Sequence, residues 1–533
     1  MMHFEPRQAS LFPTMLQLTD LLLSDNIQLV VSATCLSVAA LIAHTYLFST
    51  ENGLSFPPSP STWGLRGHFI PPRNAYLTVA SWIEEYGPLI TLRAGTEKFV
   101  VIGRYKACLT AAAEIMEKQG ASLVDRPRSL AAGELLGGGM LIPFVPAGER
   151  FRRMRRLKYN GYMTLHYRAI HTHFQPKAAE AYRPLQMSHA KNTVIYILNG
   201  PYNFQDHART YAAATSMKIS YGKTTPTSAT DPEVRRVTEF ADKFRFALHP
   251  GAYLVDSISW LKYLPWYARE LRDGCRDSRE LFIEQLCRVK QELGVGDASP
   301  SFGRYLLEHG SLYGLSELEM AYLAGAVVGA GSDTTTLAIC TVLMAAAVFP
   351  EEQRKVHAEL DAVIGNNRAP TFTDEQSLHR LRAFVSEALR WRPLVPMRIP
   401  HRTTMEVVWE NHHIPARTTV TGNHWSISRD PDVFPDPNTF KPDRWLGIEG
   451  RVRDDPKFFV FGFGRRVCPG QDVANSSVFV NTALVLWAFR LTLDSTKPLD
   501  DMAFMDGSLP KEQPCTIEFQ TRIPEVEIRC IME

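Results

Sequence analysis

The chain has 533 residues, 45% of them hydrophobic and 21% charged, with a formal net charge of +2, so it can bury a sizeable core and is too apolar for intrinsic disorder. That balance gives no sign of nucleic-acid binding, which calls for a dense basic stripe interleaved with aromatics; the nearest run is ERFRRMRRLK at 149–158. Eight cysteines, at 35, 108, 275, 287, 340, 468, 515 and 530, form no CxxC pair and no His/Cys cluster at zinc spacing, which points to a reducing compartment and away from a disulfide framework or a structural zinc.

In chain order, IQLVVSATCLSVAALIAHTYLF, residues 27–48, lacks Asp, Glu, Lys and Arg. As a helix it is about 33 Å long, enough to cross a hydrocarbon core. No basic stretch of the signal-peptide kind precedes it, so a retained membrane anchor is expected. Glu5, Arg7, Asp20 and Asp25 lie before it and Arg66 and Arg73 after it, a bias that places residues 1–26 in the lumen and the C-terminal side in the cytosol. Residues 49–75 contain FPPSPSTWGLRGHFIPP, whose prolines forbid a continuous helix and make a stiff hinge. No repeat or low-complexity block divides the remaining chain, so residues 76–533 are expected to form one domain. It opens with a helix, AYLTVASWIEEYG, and two short strands in PLITLRAGTEKFVVIG.

Residues 318–349 read as a long Ala-rich helix, apolar nearly all round and therefore buried. At its centre Ala330, Gly331, Ser332, Asp333, Thr334 and Thr335 stand where helix propensity favours Leu or Glu. Small side chains there suit either a bulky ligand or a close helix crossing, and Thr334 can bond its own helix or a ligand. PEEQRKVHAELDAVIG comes next as an amphipathic helix, and residues 373–393 as another, in which Glu387 and Arg390 share a face. Such a pair is worth little at a surface, whereas in a core the loss of one partner costs about 3–5 kcal/mol. RPLVPMRIPHRT is proline-broken extended chain carrying Arg398 and His401, and FPDPNTFKPDRWL carries Arg444.

In FGFGRRVCPGQDVANSSVFV, residues 461–480, glycines 462, 464 and 470 permit tight turns, and Cys468-Pro469-Gly470 leads into a helix. A thiol at a helix start beside Arg465 and Arg466 is biased towards thiolate. No His/Asn pattern or resolving cysteine marks it as a nucleophile. Zinc and iron–sulfur sites need further ligands, so haem iron is the leading metal.

Phe461-x-x-Gly464-x-Arg466-x-Cys468-x-Gly470, Glu387-x-x-Arg390, Ala330-Gly331-x-Asp333-Thr334-Thr335 and the PDRW at 442–445, in this order, resemble the cytochrome P-450 family of the membrane-bound eukaryotic type. The resemblance spans essentially the whole chain. It implies the P-450 fold, mainly α with small β-sheets (α+β), behind one N-terminal transmembrane helix. It implies haem b with Cys468 as the axial iron ligand in a loop built by Phe461, Gly464 and Gly470. Asp333 and Thr334 would organise water and proton delivery to dioxygen, with Ala330 and Gly331 leaving room for oxygen. Glu387, Arg390 and Arg444 would form a structural brace, and Arg155, His401 and Arg466 would meet the haem propionates. The chain departs from the family's WxxxR pattern, having Phe151 before Arg155, so an indole N–H to a propionate is lost. Arg152 and Arg398 are the candidates to compensate, and a modest loss of haem retention is expected.

The implied reaction is monooxygenation of a lipophilic small molecule, in a pocket expected to include Leu141, Ile142, Phe144, Ala326, Ala330, residues 394–397, Leu509 and Pro510. DSISWLKYLPWY, at 256–267, resembles fungal secondary-metabolism members, so hydroxylation of a terpenoid, polyketide or indole-type metabolite is expected. The alternatives are a haem-thiolate isomerase or dehydratase working without an external reductase, and a non-catalytic haem-binding protein. The chain shows no flavin or nicotinamide domain. Electrons from NADPH would arrive through NADPH–cytochrome P-450 reductase or a cytochrome b-type donor, docking on Arg152, Arg153, Arg156, Lys457 and Arg465. The expected location is the endoplasmic reticulum membrane, single-pass, with the catalytic domain cytosolic.

Overall fold

The computed structural model describes residues 29–40, 54–62, 67–71, 73–94, 97–104, 112–155, 169–249, 251–397, 399–453, 459–505, 509–510 and 513–533. In chain order its helices are α1 (Leu29–Ala40), α2 (Ala75–Tyr86), α3 (Glu149–Arg155), α4 (Ala169–Phe174), α5 (Pro176–Glu180), α6 (Arg183–Asn199), α7 (Phe204–Tyr221) and α8 (Pro232–Leu248). After these come α9 (Arg269–Gly294), α10 (Phe302–His309), α11 (Glu317–Val348), α12 (Pro350–Val363), α13 (His379–Trp391), α14 (His424–Ile427), α15 (Gln471–Ala488) and α16 (Glu525–Met532). The strands are β1 (Leu89–Ala94), β2 (Glu97–Ile102), β3 (His401–Arg402), β4 (Val407–Trp409), β5 (His412–Ile414), β6 (Thr419–Gly422), β7 (Phe489–Leu493) and β8 (Ile517–Thr521). The protein is thus mostly helical with small sheets.

The chain divides into a small unit of residues 1–57 with 408–413 and a large one of 58–407 with 414–533. In the small unit Ser55 forms a parallel bridge with His412, and α1 exposes Leu29, Val30, Val31 and Leu36. Its described length is about 18 Å, short of a hydrocarbon core of about 30 Å. The remainder of the expected 27–48 anchor lies outside the described residues.

In the large unit, a reciprocal cap starts α11: Ser316 accepts the Glu319 N–H, and the Glu319 carboxylate accepts the Ser316 N–H. The helix is apolar all round and runs from one core cluster into another. Its first half, Met320 to Val328, packs with Phe282 and Leu286 of α9, Met217 and Tyr221 of α7, and Phe302 of α10. Its second half, Leu337 to Ala347, packs with Val478, Leu484 and Trp487 of α15 and Phe384 of α13. The two clusters part at Gly329 to Thr336, the small and polar centre of the helix.

The main sheet has the order β1-β2-β6-β3. β2 is antiparallel to β1, with Leu92 opposite Phe99, and parallel to β6, with Val101 opposite Thr421. The antiparallel β3–β6 pair sets His401 opposite Val420. The helix expected at 373–393 is divided. Thr371 and Asp374 cap a 3₁₀ turn over Phe372–Ser377, and α13 starts afresh where the Glu359 carboxylate accepts the N–H groups of Arg380 and Leu381.

Candidate functional site

Cys468 lies two residues before Gly470, the N-cap of α15. Its N–H donates to Phe461 O at 2.9 Å, closing the turn on itself. Gly464 has φ +61°, and a Cβ there would sit 2.4 Å from Met116 O, so only glycine lets this turn approach so closely. The thiol is half-buried. No group of three or more His, Cys, Asp or Glu side chains among the described residues is arranged to hold a metal, so Cys468 offers a single thiol.

Arg466 is 5% exposed. Its Nε donates to Val124 O at 2.8 Å, Nη2 to Val145 O at 2.8 Å and Nη1 to Ile142 O at 3.4 Å. Its Cζ lies 3.4 Å from the Phe151 ring centroid. His401 is also buried, with Nδ1 2.7 Å from Leu123 O. Residues 123–126 thus tie Arg466 and His401 together, and the same short segment holds itself in place. Asp125 pairs with Arg402 at 2.6 Å and accepts the Ala147 N–H at 2.7 Å, while Arg126 donates to Ile399 O and Pro400 O at 2.8 and 2.6 Å. Burial opposes the charge on Asp125, but the Ala147 N–H and the Arg402 guanidinium outweigh it and hold the carboxyl below its usual range. Sequence reasoning missed this segment; its signal was the adjacent opposite charges of Asp125 and Arg126 before a proline. The Arg155 side chain and Arg398 lie outside the described residues.

Glu387, Arg390 and Arg444 come together around one carboxylate. Glu387 and Arg390 are 0% exposed, and Arg390 Nε is 2.7 Å from Glu387 Oε2. Glu387 Oε1 accepts from Arg390 Nη2 at 2.8 Å, Arg444 Nε at 3.0 Å and the Lys441 N–H at 2.8 Å. Its Oε2 also accepts from Trp445 Nε1 at 2.9 Å. Arg390 and Arg444 further bind carbonyls of Pro435, Asp436, Pro437 and Thr439, so the brace anchors the proline-rich segment to α13.

The residues at the centre of α11 meet different surroundings. Ala330 and Thr334, one turn apart, are exposed on a helix otherwise largely buried, and Thr334 Oγ1 donates to Ala330 O at 2.7 Å. Gly331, expected to leave room for oxygen, lies at a helix crossing: a Cβ there would lie 2.6 Å from Ser216 Oγ on α7. Asp333 does not join Thr334. Its Oδ2 lies 3.0 Å from Arg245 Nη1 of α8, and burial outweighs this guanidinium to raise its carboxyl above the usual range.

Comparison with known proteins settles what this arrangement belongs to. The cytochrome P450 family model matches residues 57–519. The chain belongs to the cytochrome P450 monooxygenases. It is 44% identical over 93% of its length to cytochrome P450 monooxygenase 113 of Postia placenta, covering 97% of that protein. It is 46% identical over 89% of its length to cytochrome P450 monooxygenase 64 of the same fungus, covering 92% of it. A cytochrome P450 monooxygenase of Armillaria gallica is 31% identical over 95% of the chain and 97% of its own length. Membership of the P450 family implies a haem held by a thiolate. The residues present fit such a group: one half-buried thiol before a helix, a buried guanidinium two residues earlier, and a small-residue face on α11 where the two core clusters part.

Proposed function

We propose that Cys468 is the axial ligand of haem b and that the protein hydroxylates a lipophilic small molecule in secondary-metabolite biosynthesis, of terpenoid, polyketide or indole type. The observation that carries this reading is the Cys468 turn: a half-buried thiol, hydrogen-bonded through its own N–H to Phe461 and set just before α15. The helix N-terminus favours the thiolate there. When bound, the haem supplies reductive activation of dioxygen. Arg466 and His401 would hold its propionates, with Arg155 as the third partner, and Phe461, Gly464 and Gly470 would shape the loop that carries Cys468. Exposed Ala330 would leave room for oxygen. Thr334, released from Ala330 O, would hold water and a proton at its hydroxyl, and Asp333, released from Arg245 and protonated from solvent, would replenish that proton. Glu387, Arg390 and Arg444 keep the supporting segment rigid.

Electrons come from NADPH through a separate reductase or a cytochrome b-type donor. Arg465 is exposed and suits an acidic partner, as does Arg152, which is exposed although it pairs with Glu149 at 3.0 Å. Arg153, by contrast, reaches 3.7 Å from Glu319, which Arg150 also binds at 2.8 Å, while Arg156 and Lys457 lie outside the described residues. A single-pass location in the endoplasmic reticulum membrane, with residues 76–533 cytosolic, is supported by the exposed apolar face of α1. It is supported separately by Phe246, Leu254, Trp260, Tyr263 and Trp266, exposed aromatic and apolar side chains suited to a membrane interface. The test is the reduced, carbon monoxide-bound difference spectrum of the full chain in membranes. A thiolate-type Soret band that disappears in Cys468→Ala is expected; a thiolate band retained in that variant refutes the ligand assignment.

A further inference from the structure

We propose that Phe151 is a positioning residue for Arg466, so that a stacked ring does indirectly what a hydrogen-bond donor at 151 would do directly. The inference rests on the reading of Arg466 as a haem-propionate partner. A guanidinium is planar, with donors around its edge and a face that stacks on aromatic rings. In Arg466 the edge bonds to the carbonyls of Val124, Ile142 and Val145, from two separate loop segments. The face lies against Phe151, with Cζ 3.4 Å from the ring centroid. Edge contacts set the direction of the plane and the ring sets its height, leaving the cation little freedom. Phe151 is itself fixed: it is 7% exposed, on α3, in a cluster with Leu141, Val145 and Met154. Val145 therefore contributes its carbonyl to the cation and its side chain to the ring's support, which couples the two.

A phenyl ring has no donor, and its negative face repels a carboxylate. Any contribution of Phe151 to holding an anionic haem edge must therefore pass through the cation it covers. Simple core packing would also bury Phe151, but that role would not depend on the charge at 466.

The test is haem transfer from the full-length ferric holoprotein in detergent to excess apomyoglobin, read at the Soret band. Phe151→Leu is expected to speed haem loss about five- to thirtyfold, the range of a desolvated cation–π contact. In an Arg466→Gln background the same substitution is expected to add less than about twofold. Equal acceleration in both backgrounds overturns the inference and makes Phe151 a packing residue. Should Arg466→Gln alone leave haem loss unchanged, the propionate reading of Arg466 fails instead. Replacing Phe151 with pentafluorophenylalanine keeps the shape while reversing the ring quadrupole; faster haem loss supports the inference, and an unchanged rate overturns it.

Discussion

Replacing Glu387 with Gln conserves shape and removes one charge from the brace beside α13. Five donors converge on this carboxylate: three on Oε1, from Arg390, Arg444 and Lys441, and two on Oε2, from Arg390 and Trp445. An amide must turn its NH₂ towards one of these sets. The less costly choice is the Oε2 side, and it still opposes Arg390 Nε and Trp445 Nε1 with a third donor. Arg390, 0% exposed, also keeps its charge without this counter-ion. Breaking a buried pair in this way costs about 3–5 kcal/mol, a large share of the roughly 5–15 kcal/mol that keeps a protein folded. The assay is equilibrium denaturant unfolding of the full-length, haem-loaded protein, with Glu351→Gln as control. Glu351 pairs with Arg354 at 2.9 Å, but the two side chains are 77% and 71% exposed, so its loss costs at most about 0.5 kcal/mol. A Glu387→Gln loss no larger than the control's would refute the argument that convergence on one buried carboxylate stabilises this region.

Gly331→Ala puts a methyl 2.6 Å from Ser216 Oγ, so it should destabilise the protein by about 1–3 kcal/mol, with Ser216→Gly restoring much of the loss in thermal unfolding; no rescue would sever the proposed α7 contact. Thr334→Ala is expected to keep the haem spectrum while diverting NADPH oxidation to peroxide, and unchanged coupling would remove the hydroxyl from proton delivery. Burial, aided by His309, lowers His173 to about 4; its ring centroid lies 4.3 Å from that of Tyr305, the planes tilted by 52°. The unfolded chain therefore binds more protons between about pH 4 and 6.5. The stability from this neutral imidazole is complete above about pH 6.5 and is lost as pH falls towards 4. His173→Phe should flatten that limb by roughly 2–3 kcal/mol, and an unchanged pH profile of the unfolding midpoint would show that His173 titrates normally.

What could be read from the chain alone was whatever is local. The Cys468 turn is built by neighbours within seven residues, Phe461 O included. Glu387 and Arg390 share a face because they stand three apart on a helix, and α11 declares its burial by being apolar on every side. The resemblance to the family also implied that Phe151 stands where an indole is usual.

Only the tertiary structure decided how the centre of α11 divides its work, because each residue there answers to a different neighbour. Gly331 meets Ser216 of α7, Asp333 meets Arg245 from 88 positions away, and Ala330 and Thr334 remain exposed. The tether at residues 123–126 was equally hidden, since backbone carbonyls carry no side-chain signature, yet Leu123 and Val124 receive His401 and Arg466 from 278 and 342 positions away. Local periodicity reports which face of an element is buried. Which partner buries it, and whether a small residue there serves packing or a ligand, is set by the three-dimensional crossing of helices that are distant in sequence.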